Sequence, residues 1–467
     1  MRRGIAACIA ALALVAAEAP AAGADALLVV RGGHVTRVQD PFLPPEPADD
    51  PGAAVGRRTR RCGAGERPRA RTPRTPVATA SSARTIGQAV GRAAQAGKIT
   101  PQQRAEYLKT LHDARAARGR LSGIRRAELS NVIATMWDLA RRDLLTSGRM
   151  PALFLTLERN TEYWLANSPP KLPPPGQPCV AGVGYSLPRL AFGDDPVVFQ
   201  WYPGHGLQIQ VLGNFGKANA LAENCLKSPP NPKAPCMADK LKALLDRLVA
   251  LRVTRGTYTT WEYDFPFGGG KAPWVSGMAQ ATALQALARG SQVLNDPSYL
   301  QVARAALGAF QTGPPRGIRV PADGGSHYLI YNFAPRVRVL NGFLQSLIGL
   351  YDYATISNDP VGWQLFQAGD RAARVEVPRY DTGAWSLYSL GEGEANLDYH
   401  KLVRDFLQRL CDRTHADVYC ATAQRFTSYL HQPPHVVFEP RPRAHRKRPA
   451  VVGVWISKVS CVKVAVY

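Results

Sequence analysis

The chain has 467 residues, 45% of them hydrophobic and 20% charged, and a net charge of +23. That length and apolar content exclude a wholly disordered chain and leave room for roughly two or three domains with sizeable cores. About half of the excess charge lies in two Pro-punctuated stretches, Arg57–Arg74 and Arg441–Arg448. Neither interleaves aromatic residues with its cations, which argues against specific nucleic-acid recognition and for solvated segments that bind acidic polymers loosely.

In chain order, Arg2-Arg3 precede the apolar run "IAACIAALALVAA" (Ile5 to Ala17) and small residues up to "AAGADA" (Ala21 to Ala26). This reads as a secretory signal peptide over residues 1–26, which would place the mature protein outside the cell or in its envelope. A membrane anchor is the alternative, although thirteen apolar residues fall short of the ~20 that span a bilayer. Residues 27–84, rich in Pro, Arg, Ala and Gly without hydrophobic periodicity, are expected to be a disordered linker.

A helical N-terminal region is expected over residues 85–178. Thr100 before Pro101 reads as an N-cap followed by a first-turn proline. Further on, Leu129, Val132, Ile133, Met136 and Leu139 fall on one helical stripe. After the Pro-rich break at Ser168–Pro178 comes a mixed segment with strand character, "PVVFQWYPGHGLQIQVLG". Helical patterns follow at Asp239–Leu251, Ser276–Ala288, Tyr299–Phe310, Val339–Tyr353, Val361–Ala373, Leu397–Leu410 and Ala416–Leu430. The fold class is therefore mainly α: an (α/α) toroid or barrel over residues 179–432, with a small mixed β segment before its helices. Residues 433–467 form a basic linker and a β tail, in which Val452–Tyr467 alternates like a strand pair.

Export makes the cysteines readable. Cys225 and Cys236 flank one short loop, Cys411 and Cys420 another, and each pair is expected to form a disulfide, with zinc as the alternative. Cys62, Cys179 and Cys461 remain unassigned.

The loops between helices carry the chemistry-bearing residues. "YPGHGLQ" supplies Tyr202, His205 and Gln208, and "WEYDFPFGGGKAPW" supplies Trp261, Lys271 and Trp274. Such a mixture of aromatic faces, flexible backbone and polar groups suits a carbohydrate, and equally suits aromatic packing beside turns. The densest cluster is "RYDTGAWSLYSL" (Arg379 to Leu390), with "NLDYHK" (Asn396 to Lys401) downstream. Tyr399 shares the inward stripe of its helix with Leu402 and Phe406, and lies in the first turn, where the positive helix end favours a phenolate. Next to it, His400 would hold or relay a proton. As pattern, Tyr399 is either a bonded core tyrosine or a proton carrier.

Three stretches, "VLNGFLQSLIGLYDYA" (Val339 to Ala354), "YDTGAWSLYSL" (Tyr380 to Leu390) and "NLDYH" (Asn396 to His400), resemble the C-terminal domain of the D-glucuronyl C5-epimerases. "PWVSGMAQATALQALAR" (Pro273 to Arg289) resembles the same family's inner helix. The resemblance covers roughly Trp261 to Leu430 and implies an (α/α) barrel with a cleft across its open end. It implies inversion of glucuronate to iduronate in a glycosaminoglycan-type polymer, with Tyr331, Tyr388 and Tyr399 in the catalytic positions. It requires no cofactor and no metal. Tyr202, His205, Gln208, Trp261, Lys271, Trp274, Asn341, Arg379, Trp385, His400 and Lys401 are the expected substrate-binding residues. The chain departs from the animal members at Ile330, where they carry an acid, at Gly391, where they carry an Arg, and at Val403, where they carry a His.

Three functions compete on these residues. The first is an exported C5-epimerase of a uronic-acid-containing polysaccharide, with no membrane span in its mature form. The second is a uronate polysaccharide lyase, which abstracts the same proton and then expels the C4 substituent. The third is a non-catalytic glycan-binding envelope protein.

Overall fold

The computed structural model describes residues 26–44, 85–172, 187–227, 235–438 and 454–461. The chain opens with strands β1 (Ala26–Arg31) and β2 (His34–Gln39), which pair antiparallel. Gly32 and Gly33 join them, both at positive φ. A two-residue turn of this hand matches the twist of a hairpin, and glycine supplies it without strain. This corrects the reading of 27–84 as linker from its start: "LLVVRGGHVTRV" is a hairpin signature, and Leu27 and Val30 are buried. Residues 40–44 continue the ordered chain, with Leu43 buried and Asp40 paired with Lys217, whereas residues 45–84, the signal segment apart from Ala26 in β1, and the basic stretches lie outside the described residues.

Four helices follow, α1 (Ile86–Gln95), α2 (Pro101–Arg120), α3 (Gly123–Arg141) and α4 (Met150–Ala166). Thr85 with Gln88 and Thr100 with Gln103 form capping boxes, so the expected Thr100–Pro101 start is observed. The predicted stripe of α3 is buried. These helices share one core with strands β3 (Arg189–Phe192), β4 (Val198–Tyr202) and β5 (Gly206–Ile209). The sheet has the order β2-β1-β3-β4-β5, with only the β1–β3 pairing parallel.

The remainder is mainly helical: α5 (Val211–Leu226), α6 (Ala238–Ala250), a short β6–β7 pair (Val253–Arg255, Tyr258–Thr260), α7 (Gly277–Leu294), α8 (Ser298–Ala306) and α9 (Gly308–Gln311). A second pair, β8–β9 (Arg319–Ala322, Gly325–Tyr328), precedes α10 (Leu340–Ser357), α11 (Pro360–Glu376), a 3₁₀ turn (Val377–Tyr380), α12 (Leu397–Thr414) and α13 (Asp417–His431). Helix α5 was hidden from pattern reading by the strands immediately before it.

Helices α5, α7, α10 and α12 pack side by side in that order, each with an outer partner, α6, α8, α11 and α13. Most of α7 and α10 is buried, and their sequences are accordingly dominated by apolar or small residues, with buried polar side chains such as Gln280, Gln285, Gln345 and Asp352 among them. Gly349 of α10 faces the Ala281 carbonyl of α7 so closely that a Cβ would collide with it. Here glycine sets the approach of the two inner helices.

The two ends of this row differ. At one end α7, α10 and α12 each finish on a left-handed cap, Asn295, Asn358 or His415, and turn at once into their outer partners. At the other end the chain returns through long loops. Both expected disulfides are present: Cys225–Cys236 ties α5 to the start of α6, and Cys411–Cys420 ties α12 to α13. Cys461 is disulfide-bonded as well. Among the described residues no helix is long and apolar enough to cross a membrane.

The tail pairs β10 (Val436–Phe438) with β11 (Val454–Ile456). Of the strand pair expected within Val452–Tyr467, Val454–Ile456 is a strand, and its described partner lies upstream of the basic segment; residues 452–453 and 462–467 lie outside the described residues.

Candidate active site at the N-terminal ends of the inner helices

Hydrogen bonds at both ends show that the inner helices run parallel. At the loop end, Leu212 N–H of α5 donates to the Tyr263 hydroxyl (3.2 Å), just before α7. Gly277 N–H, at the start of α7, donates to Leu329 O (2.9 Å), and Leu340 N–H, at the start of α10, to Tyr388 O (3.2 Å), just before α12. At the far end Arg289 of α7 meets Glu223 of α5 and Asp352 of α10, and Arg413 of α12 meets the same Asp352. The loops carrying the sequence-derived residues therefore lie beside four helix N-termini. Many of the first-turn N–H groups there are already engaged by loops and caps, and the positive dipole ends favour an anion.

On the α5 side, the turn Tyr202–Gly206 is held from the N-terminal helices. Buried Glu128 of α3 accepts from Gly204 N–H (2.8 Å) and Gly206 N–H (2.7 Å), and Asn131 donates to Gly204 O (2.9 Å). Gly206, at φ +74°, leaves no room for a Cβ against Asn160 and Val132. Gln208 uses its amide to hold the same turn through His205 O (2.5 Å). Half-buried His205 has its pKa lowered by burial, so its imidazole is kept neutral.

An aromatic cluster continues from this turn. Tyr202 and His205 pack on Phe265, Tyr263 stacks on Trp274 at 4.2 Å, and Trp274, Phe267 and Phe333 surround Tyr331. Tyr331 is 4% exposed. Trp261 packs against Phe215 and gives its indole N–H to Leu248 O, while Trp274 gives its own to Phe265 O. Both indoles are core members, with their polar edges engaged by backbone. Lys271 is exposed beside them.

Beneath that loop lies a buried charge group that sequence reading missed. Glu262 pairs with Arg149, from the N-cap of α4, and with Arg255. The two guanidiniums hold the Glu262 carboxyl low against the opposing effect of burial. Asp264, two residues on, has a buried Oδ1 without a hydrogen-bond partner. Burial first, and the Glu262 charge second, raise its pKa to about 7. Arg149 is 113 residues from Glu262, and no local signal links them.

On the α12 side, Tyr388 and Tyr399 meet edge to face, with ring centroids 5.0 Å apart. Tyr399 is fixed by the helix start: Asn396, the N-cap of α12, accepts from Tyr399 N–H at 2.8 Å. Tyr388 N–H donates to Gly393 O. The Asp-Thr-Gly turn is held as well, since Asp381 accepts from Gly383 N–H, Arg425 and the Tyr429 hydroxyl. Asn341, buried at the start of α10, accepts from Gly342 N–H. Arg379 pairs at the surface with Asp323, and Lys401 is partly exposed on α12.

His400 and Trp385 stand differently from the expectation. The His400 ring stacks on Trp385 at 3.6 Å and 8°, bonds Ser386 Oγ through Nδ1 (2.8 Å), and bonds Phe426 O through Nε2 (3.0 Å). Burial drives its pKa down to about 4. With both nitrogens engaged and the ring neutral, His400 has nothing to offer a carboxylate or a travelling proton. Trp385 gives its indole N–H to Ala395 O and one face to His400. The pair forms the packed hinge between the Tyr388 loop and the Tyr399 helix.

Residues 255–428 match the family described as D-glucuronyl C5-epimerase C-terminus. The resemblance read from the sequence holds over this segment. A D-glucuronyl C5-epimerase of Caenorhabditis elegans is 32% identical over 178 residues, covering 34% of this chain and 29% of the worm protein. An uncharacterized protein of Methanocaldococcus jannaschii is 26% identical over 171 residues, covering 35% of this chain and 55% of the relative. The chain thus spans well under two thirds of either relative.

The epimerase-like segment holds Trp261, Lys271, Trp274, Tyr331, Asn341, Arg379, Trp385, Tyr388, Tyr399, His400 and Lys401. Tyr202, His205, Gln208 and the helices that grip their turn lie before it. The three departures from the animal members have local structural accounts. Ile330 packs against Gly342 at the start of α10, Gly391 takes a left-handed φ of +85°, and Val403 is buried. An apolar contact, a turn and a core position occupy the places of an acid, an arginine and a histidine.

Proposed function

We propose that this chain is a uronate C5-epimerase acting on a polysaccharide, with Tyr331 on one side of the sugar and the Tyr388–Tyr399 pair on the other. The observation that carries the reading is the epimerase-family match over the segment that contains all three tyrosines, together with the contact between two of them. A pyranose between two aromatic rings would hold them roughly 7–8 Å apart, twice the ~3.5–4 Å contact distance. Rings centred 5.0 Å apart leave no such gap, so Tyr388 and Tyr399 serve the same face of the sugar.

The C5 hydrogen of a uronate lies next to a carboxylate and is weakly acidic. One phenol, as phenolate, removes it, negative charge spreads into the carboxylate, and a phenol on the opposite face returns a proton. A second phenol in contact with the first stabilises the phenolate through its O–H or its ring edge. The developing dianion is met by the N-terminal ends of the inner helices, with Lys271 and Lys401 as nearby cations. Closure of the helical row into a toroid, as the family resemblance implies, would bring the Tyr331 and Tyr388 loops to face each other across one cleft. The two disulfides support an oxidising compartment and hence export.

The reading is tested by incubating the protein in D₂O with glucuronate polymers and following deuterium at C5 together with the short-wavelength ultraviolet absorbance of an unsaturated uronate. Deuterium at C5 with no rise in absorbance is the expected result. An unsaturated product would make the protein a lyase, and binding without exchange would make it a glycan-binding scaffold.

A further inference from the structure

Lys458 lies in the tail, thirty residues beyond the end of the epimerase-like segment, and is 9% exposed. Its ammonium donates to Tyr429 O and Gln432 O, at the C-terminal end of α13, where the helix presents unpaired carbonyls and its negative pole. It also sits over the Trp385 ring, 5.4 Å from the centroid. The Glu394 carboxylate lies against the backbone of the next residue, Val459, and its charge faces Lys458. Trp385 is thus contacted both by the stacked His400 ring and by the Lys458 ammonium over its own ring.

We propose that Lys458 is a positioning residue: from the tail it locks the Tyr388 loop onto the Tyr399 helix through Trp385, and so fixes the spacing of the two phenols. The proposal rests on the reading of those phenols as proton carriers. The connections are short on both arms. Trp385 is three residues before Tyr388, and its stacking partner His400 directly follows Tyr399. Ser386 and His400 are hydrogen-bonded across the gap. Glu394 bridges to Leu387, so the Val459 contact reaches the same loop from its other strand.

An apolar side chain would cover Trp385 equally well and would cost no desolvation of charge. It would leave the Tyr429 and Gln432 carbonyls without these donors. An ammonium satisfies both and holds the indole in one place, which is a directional lock rather than general packing.

The test uses the full chain with Lys458→Met, which keeps length and deletes the charge, Lys458→Gln, which keeps donors, and Lys458→Arg, which keeps the cation. Amide hydrogen exchange is read over 385–395, with α7 as the internal control. Lys458→Met is expected to speed exchange in 385–395 by about tenfold while α7 is unchanged, and to lower kcat for C5 exchange by about tenfold with little change in KM. Lys458→Arg restores both. Should Lys458→Met lose its fold, Lys458→Gln, compared with Lys458→Arg, still tests the part of the lock that depends on the charge over Trp385: exchange in 385–395 is expected to rise in Gln and not in Arg, and equal protection in both overturns the proposal. Unchanged protection of 385–395, or a loosened loop with wild-type kcat, overturns the proposal. A wild-type chain without C5 exchange on any glucuronate polymer sinks the epimerase reading instead, while amide exchange still decides whether Lys458 holds the loop.

Discussion

Tyrosines at three positions carry the proposed chemistry, and two neighbouring groups show how the surroundings tune protons. His400, held neutral between Trp385 and Phe426, has a folded pKa of about 4 against an ordinary value near ~6.5. Between those values the unfolded chain binds a proton that the folded chain refuses. Its contribution to stability is therefore present above pH ~6.5 and lost as pH falls toward 4. His400→Gln should flatten this acid limb in urea midpoints measured from pH 7 to 4, and an unaltered slope would contradict the assignment. Asp264 has the opposite sign. Raised to about 7, it keeps its proton in the folded state where the unfolded chain has lost it, above ~3.9. Stability then falls as pH rises through that window. Asp264→Asn should stabilise the protein at pH 7 and make no difference below pH 4. At this scale the sequence was legible in the tyrosines and the Asp-Thr-Gly turn, because their partners are local. It misled at His400 and Trp385, because adjacency to Tyr399 and Tyr388 does not reveal which side chain faces the core.

Among the elements, the loops at the helix N-termini are positioned from outside the epimerase-like segment. Arg149 of α4 reaches the loop before α7, and Glu128 of α3 holds the turn before α5. Arg149→Met would leave the buried Glu262 charge with Arg255 alone and should cost about 3–5 kcal/mol in denaturant unfolding. Joint replacement of Arg149 and Glu262 by Met and Gln should cost much less than the sum of the two single replacements; a double-variant loss equal to that sum would show that the pair is not coupled. The helices themselves were readable from periodicity: α6, α7, α10, α11, α12 and α13 begin within a residue or two of their expected starts. Two features escaped. The β1–β2 hairpin was masked by the Arg- and Pro-rich composition around it, although its Gly-Gly turn was in view. The pairing of β10 with β11 spans the basic segment, and no alternation pattern encodes a partner at that distance.

Across the whole molecule, charge and the proposed function point the same way. A chain at +23 with two arginine-rich stretches would gather a polyanionic substrate before the site engages it. Affinity for a uronate polymer should accordingly fall steeply between 0.05 and 0.5 M salt, as the Debye length shrinks from above ~10 Å to below ~5 Å. Binding indifferent to salt would place the affinity in the aromatic loops alone. The central claim is that Tyr331 serves one face of the sugar and the Tyr388–Tyr399 pair the other. Its most direct test is C5 deuterium exchange started separately from the gluco and the ido polymer, with Tyr331→Phe, Tyr388→Phe and Tyr399→Phe. Each variant should keep its fold within ~1 kcal/mol, the worth of one hydrogen bond, and slow turnover by roughly 10²–10⁴-fold. Tyr388→Phe and Tyr399→Phe should be impaired most from the same starting epimer, and Tyr331→Phe from the other. Opposite biases for Tyr388→Phe and Tyr399→Phe, or near-full exchange in all three variants, would contradict it.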